Sequence, residues 1–329
     1  MFHGGKKMWL QLRLFLLITL LFSILYGIIV GIGYLMGLQG FTFYIFIFAF
    51  AILLILIQYL IGPKTVEWSM KVKYIKPNEY PKLHQMVQDL SAKANLQNTP
   101  KIGISQLQIP NAFAFGRTKK DARVCVTKGI LDLLDEKELK AVIGHELSHI
   151  NHRDVAIITM LSVVPMICYM IYISFFWGGM FNRRRDGGAM ILIGLGALVM
   201  YFITNLLVMY GSRIREYYAD VGSIELGNQP HHLATALYKL SIGSAKVNKK
   251  TLKQAEGMKA FFLNDPSRAL NEVRSLKDID IDMSGTIDQN ELMMLQSKKI
   301  NLSTSDKLME ALSTHPNMVK RIKQLAMMQ

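Results

Sequence analysis

His145-Glu146-Leu147-Ser148-His149 puts two imidazoles four residues apart, with a carboxylate directly after the first. On an α-helix residues i and i+4 share a face, so both rings can bind one metal ion while Glu146 reaches a water on it as general base. A helix is expected here. Asp135-Glu136-Lys137-Glu138 reads as a capping box, and Leu139, Val142, Ile143, Leu147 and Ile150 follow at helical spacing. With 8 histidines in 329 residues, a chance H-E-x-x-H is expected only about 0.006 times in such a chain. The pattern is therefore read as a zinc-peptidase constellation and not as surface histidines on a solvated helix.

A catalytic zinc usually takes three protein ligands and keeps a fourth position for water. The candidates for the third are His152, Glu216, Glu225, His231, His232 and His315. The elements that must carry them narrow the choice. Four uncharged apolar stretches, 14–36, 41–61, 155–177 and 189–210, each reach the roughly 20 residues that cross about 30 Å of hydrocarbon. His149 stands six residues before the third stretch and Glu216 six after the fourth. If both helices continue beyond the bilayer, the two side chains stand about 9 Å above one membrane face on neighbouring helices. Glu216 is then the third ligand by topology. Asp220, one turn further along the same face, suits a carboxylate that accepts the spare N–H of a ligand histidine. His152 does not fit a third-ligand spacing and reads as a surface residue.

The spans divide the chain into an N-terminal hairpin (1–61), a first polar block (62–154), a second hairpin (155–210) and a last polar block (211–329). Lys6, Lys7 and Arg13 precede the first span, but its apolar run is too long for a signal peptide, so it reads as a retained anchor. Of 38 basic residues, 15 fall in the first block and 17 in the last, which by the positive-inside rule places both blocks in the cytoplasm. Arg183, Arg184 and Arg185, in the short loop of the second hairpin, run against that rule, and Pro165 leaves a re-entrant pair as the alternative for this hairpin. A purely water-soluble protein is excluded by 51% hydrophobic and 19% charged residues. The net charge of +14 fits an anionic leaflet, and no nucleic-acid module is recognisable. Cys125 and Cys168, the two cysteines, give neither a disulfide framework nor a thiolate metal site.

A second metal motif lies in 280–291. Laid on the twelve-residue EF-hand loop, it offers Asp280, Asp282, Ser284, Asp288 and Glu291 at positions 1, 3, 5, 9 and 12, Thr286 at the carbonyl position 7, and Gly285 at position 6. Calcium binding is the expectation, with an acidic turn between helices as the alternative. Runs 267–276 and 292–300 are expected to flank it as helices.

The chain resembles the HtpX-like membrane zinc metallopeptidases, relatives of the CAAX-prenyl endopeptidases. The resemblance rests on His145–His149, on Arg215-Glu216-Tyr217-Tyr218-Ala219-Asp220, on Asn111-Ala112-Phe113-Ala114-Phe115-Gly116, on Thr314-His315-Pro316 with Arg321-Ile322, and on the four spans. It implies a multi-pass α-helical membrane protein with a cytoplasmic α+β zincin-type, gluzincin-like peptidase domain. It also implies Glu216 as third zinc ligand, Asp220 as its supporting carboxylate, and cleavage of misfolded or selected membrane proteins in a prokaryotic inner membrane. By the same resemblance Asn111, Ala112 and Phe113 begin an edge strand along which an extended substrate pairs. His315 is then an oxyanion donor, and Arg321 either pairs with Asp220 or steers the His315 segment. The rival readings are a non-catalytic metal-binding membrane adaptor and a prenyl-protein-directed endopeptidase.

Overall fold

The computed structural model describes residues 2–35, 41–181, 187–246, 273, 276, 278–298 and 303–329. Along the chain run α1 (Phe2–Leu35), α2 (Phe41–Ser69), β1 (Val72–Tyr74), α3 (Pro81–Lys93), β2 (Lys101–Ser105), β3 (Ala112–Gly116), a 3-10 turn (Lys119–Asp121), β4 (Ala122–Thr127), α4 (Lys128–Leu133) and α5 (Glu136–Asn151). They are followed by α6 (Asp154–Phe181), α7 (Gly187–Glu225), α8 (Pro230–Ala245), α9 (Gln289–Ser297), α10 (Thr304–Ala311) and α11 (Met318–Ala326). The chain divides into two units, Met1–Ile61 with Ala156–Gly211, and Gly62–Val155 with Ser212–Gln329.

Apolar length makes the first unit. Among the described residues, three helical stretches are long and apolar enough to cross a membrane: Leu12–Gly33, Asp154–Met180 and Gly187–Glu225. The remaining expected span, 41–61, lies on α2, which continues through Pro63 to Ser69; many of its side chains lie outside the described residues, as do Arg183, Arg184 and Arg185. α6 runs 28 residues through Pro165, about 42 Å, which exceeds the hydrocarbon thickness. Inside the unit Leu17, Leu21 and Leu25 pack with Leu161, Val164 and Ile167. Phe15, Leu192 and Phe202 are more than half exposed, an apolar outer surface of the kind that hydrocarbon covers.

The second unit is built on a four-stranded sheet of order β1-β2-β4-β3. β2 and β4 are parallel, pairing Lys101 with Arg123 through Ser105 with Thr127, and β3 runs antiparallel to β4 at one edge. Period-two alternation divides the side chains between two faces. Phe113, Phe115 and Cys125 join Val66, Met70 and Ile109 in one small cluster. Ala112, Val124 and Val126 belong to the main core with Val142, Ile143 and Leu147 of α5, Leu233 and Leu237 of α8, and Ile322 and Leu325 of α11.

α5 starts as its sequence dictates. Asp135 accepts hydrogen bonds from the N–H groups of Lys137 and Glu138, and Glu138 accepts one from Asp135 N. Its end differs from the expectation of a helix that runs on into the third span. α5 stops at Asn151, Arg153 takes the left-handed conformation with φ +58°, and α6 begins afresh at Asp154. An L residue in that region cannot continue a right-handed helix. α7, by contrast, is one helix of 39 residues that carries Glu216 and Asp220 near its end.

Candidate active site

The site is made where α5, α7 and α11 meet within the second unit. His145 and His149 occupy successive turns of α5, with ring centroids 4.7 Å apart and planes at 88°. Their Nε2 atoms converge to 3.1 Å. Glu216 comes to both: Oε2 lies 3.6 Å from His145 Nε2, and Oε1 lies 3.5 Å from His149 Nε2. The opposite nitrogen of each ring is held by a carboxylate. His145 Nδ1 is 2.9 Å from Asp220 Oδ1, and His149 Nδ1 is 2.5 Å from Asp154 Oδ2. A carboxylate that accepts Nδ1–H leaves the Nε2 lone pair of a neutral ring turned inward.

This donor set fits a zinc ion. Ligand atoms about 2.0–2.1 Å from a tetrahedral ion stand about 3.3 Å from one another, against the 3.1, 3.5 and 3.6 Å found here. Two neutral imidazoles and one carboxylate are also the ligand types of catalytic zinc. Without a cation, two inward lone pairs at 3.1 Å would repel.

Behind the three lies a buried charge network. Arg321, fully buried, donates from Nη2 and Nε to the two oxygens of Asp220 at 2.6 and 3.0 Å, and its Nη1 is 3.0 Å from Glu216 Oε2. Asp154, which sequence reading left at the end of a polar block, also pairs with Arg215 at 3.1 Å. Burial works against a charge on His145, yet the hydrogen bonds its ring N–H groups donate to Asp220 and Glu216 raise its pKa to about 9. Such a ring gives up its second proton readily only to something that replaces the positive charge, which is what a metal does.

Glu146 is buried beside the three, and that burial raises the pKa of its carboxyl, opposed by the rings of His149 and His145 and by a hydrogen bond from the Ala114 backbone. Ala114 of the edge strand β3 thus lies near this carboxylate. Asn111 precedes the strand, and both its N–H and its C=O bond Thr127, so its main chain belongs to the sheet. The rings of Phe113 and Phe115 lie in core, stacked 5.9 Å apart. His315 is buried in the turn before α11, with Nδ1 3.5 Å from Glu216 Oε2. The other candidates are placed elsewhere: His231 and His232 start α8 and stack on each other. His152 caps α5, half-buried, with Nδ1 2.9 Å from Ser148 O and its ring against Tyr218.

What lets α7 come this close to α5 is Gly222. A Cβ there would stand 2.0 Å from Ser148 Oγ and 2.6 Å from Ser148 Cβ. Next to it, Ser223 Oγ donates to Ala141 O at 2.6 Å, tying α7 to α5. Neither contact is visible in the sequence, since both depend on which helices meet.

Residues 77–329 match the model of Peptidase family M48. A protein named protease HtpX homolog, of Methanothermobacter thermautotrophicus, is 50% identical over 231 residues, which cover 70% of this chain and 85% of that one. Protease HtpX homolog 2 of Methanosarcina acetivorans is 36% identical over 275 residues, 83% of this chain and 81% of that one. The crystal structure of S. mikatae Ste24p aligns with 98% of this chain and 67% of its own at a TM-score of 0.49 and 14% identity. The family is zinc-dependent, and the His145–His149–Glu216 group suits that metal. The chain belongs to peptidase family M48, as an HtpX-type membrane metalloendopeptidase.

Proposed function

We propose that the protein is a zinc endopeptidase that cuts polypeptides, membrane proteins in particular, in the cytoplasm at a prokaryotic inner membrane. The observation that carries the chemistry is the inward convergence of two imidazole Nε2 atoms and one carboxylate, with each ring anchored from behind by Asp220 or Asp154. In this reading His145, His149 and Glu216 hold the ion. Bound there, zinc supplies Lewis acidity that activates water and polarises a peptide carbonyl. The Glu146 carboxylate takes the proton of the attacking water and returns it to the leaving amine nitrogen. Burial of that carboxyl favours both halves of the cycle, because it brings the pKa toward the working pH. His315 donates to the developing oxyanion. Arg321, Asp220 and Asp154 are positioning residues that hold ligand orientation.

The substrate reading rests on β3. An edge strand beside Glu146 can recruit an extended peptide through main-chain hydrogen bonds, which ask little of its sequence. That suits misfolded or otherwise selected chains better than one fixed target. The cytoplasmic placement rests on the basic residues of 62–154 and 211–329, which are taken as two halves of one peptidase domain.

The test is metal removal and return. Purified protein in detergent, cleaving casein, is expected to carry one zinc per chain, to lose cleavage on chelation, and to recover it with stoichiometric zinc. Cleavage that survives complete zinc removal would contradict the reading.

A further inference from the structure

The Asp280–Glu291 loop lies outside the zinc chemistry, and its side chains are arranged for a different ion. One oxygen each of Asp280, Asp282 and Glu291 falls within 4.8 Å of the others. Asp280 is buried. Its Oδ2 accepts from Gly285 N at 3.0 Å and from the Tyr238 hydroxyl at 2.7 Å, while its Oδ1 is buried with no hydrogen-bond donor. A buried carboxylate oxygen left without a donor is costly unless a cation meets it. Glu291 is held from both sides, accepting from Ile281 N at 2.6 Å and from Asp288 N at 3.0 Å. Gly285, at φ +80°, makes the reversal that turns both halves of the loop toward the carboxylates.

An EF-hand loop on its own has a weakness: the backbone groups at its buried centre need partners. Here α8 supplies them. Thr235 Oγ1 donates to Ile287 O at 2.9 Å and accepts from Ile287 N at 3.0 Å, and Tyr238, three residues on, reaches Asp280. One hydroxyl thus satisfies both main-chain groups of the apolar position of the loop, and the loop needs no second loop beside it.

We propose that this loop is a self-contained calcium site, docked on α8 by Thr235. Asp280, Asp282, Ser284 and Glu291 supply side-chain oxygens, and Thr286 its carbonyl. An all-oxygen donor set selects a hard cation, and a flexible loop with a bidentate-capable glutamate selects calcium over magnesium. From the loop, α9 reaches α11: Leu292 and Leu295 share the core with Ile322 and Leu325, and Gln296 Nε2 donates to Ala326 O at 2.5 Å. α11 is the helix of Arg321. Filling the loop therefore stiffens the support of the zinc ligands without touching them.

The experiment uses the zinc-loaded full chain in detergent and terbium as the probe, its emission excited through Tyr238. One terbium per chain is expected, displaced by calcium with a Kd of about 10⁻⁵ to 10⁻³ M, and by magnesium at least about tenfold less well. Asp282 is exposed, and its hydrogen bonds stay within the loop, the Ser284 N–H among them, so Asp282→Ala keeps the fold and should weaken calcium about tenfold or more. Ser284→Asp adds a carboxylate at position 5 and should tighten it severalfold. A melting temperature raised by calcium in the wild type and not in Asp282→Ala completes the expectation. No saturable emission, or an affinity that both variants leave within twofold, would overturn the proposal; neither result would touch the zinc reading.

Discussion

Arg321→Met removes a cation at nearly constant volume, and the structure sets the cost. The guanidinium is fully buried and makes two bonds to Asp220, at 2.6 and 3.0 Å, besides its 3.0 Å contact with Glu216. Taking it away leaves two buried carboxylates whose remaining charge partners among the described residues are the imidazoles of His145, His149 and His315. Breaking one side of a buried ion pair costs about 3–5 kcal/mol. For a folding unit of roughly 200 residues, 1 kcal/mol moves Tm by about 2–4 °C, so a fall of about 6–20 °C is expected. The assay is thermal unfolding of the chelated protein in one detergent at one scan rate. Arg321→Lys should fall between, since it keeps the charge and loses the fork. Adding Asp220→Asn to Arg321→Met should recover part of the loss, because the second change removes the charge that the first left stranded. A drop below about 2 °C, or strictly additive losses, would refute the view that this network is what holds Asp220 and Glu216 in place.

Gly222→Ala is expected to cost about 1–3 kcal/mol by overpacking and to weaken zinc as α7 is pushed from α5, because the new Cβ meets Ser148; melting and zinc titration should both recover with Ser148→Gly. Asp121 predicts a pH effect away from the site. Burial opposes its ionisation, but Arg117 and Arg123 bond it and hold its carboxyl below the usual 3.8. Its contribution, about 1 kcal/mol or less for a partly exposed pair, is present above 3.8 and lost as pH falls through the lower folded value. The Tm gap between wild type and Asp121→Asn should be open at pH 7 and narrow progressively as pH falls below 3.8.

Local signals carried much of this account in the sequence. The start of α5 was legible because Asp135 and Glu138 stand three apart before an apolar periodicity, and the i,i+4 relation of His145 to His149, and of Glu216 to Asp220, is a property of any helix. Joining the two pairs from sequence requires each to continue the helix of a span. α7 is one helix from Gly187 to Glu225, but α5 is separated from α6 by the left-handed Arg153. That break is followed directly by Asp154, which meets His149, and composition does not announce it. The approach of α5 to α7 through Gly222, and the docking of Ile287 on Thr235, are tertiary facts between residues 74 and 52 apart in the chain. For the same reason Arg321 could be named from sequence, while its choice of Asp220 and Glu216 could not.

Glu146→Gln tests the central claim most directly, since amide for carboxylate changes one proton-accepting atom and little else. Wild type and variant, purified side by side, should bind zinc in the same amount by elemental analysis and melt alike, while cleavage of casein falls about 10²–10⁴-fold or more. Cleavage by the variant at the wild-type rate, with zinc in place, would contradict the assignment of Glu146 as the base and with it the proposed mechanism.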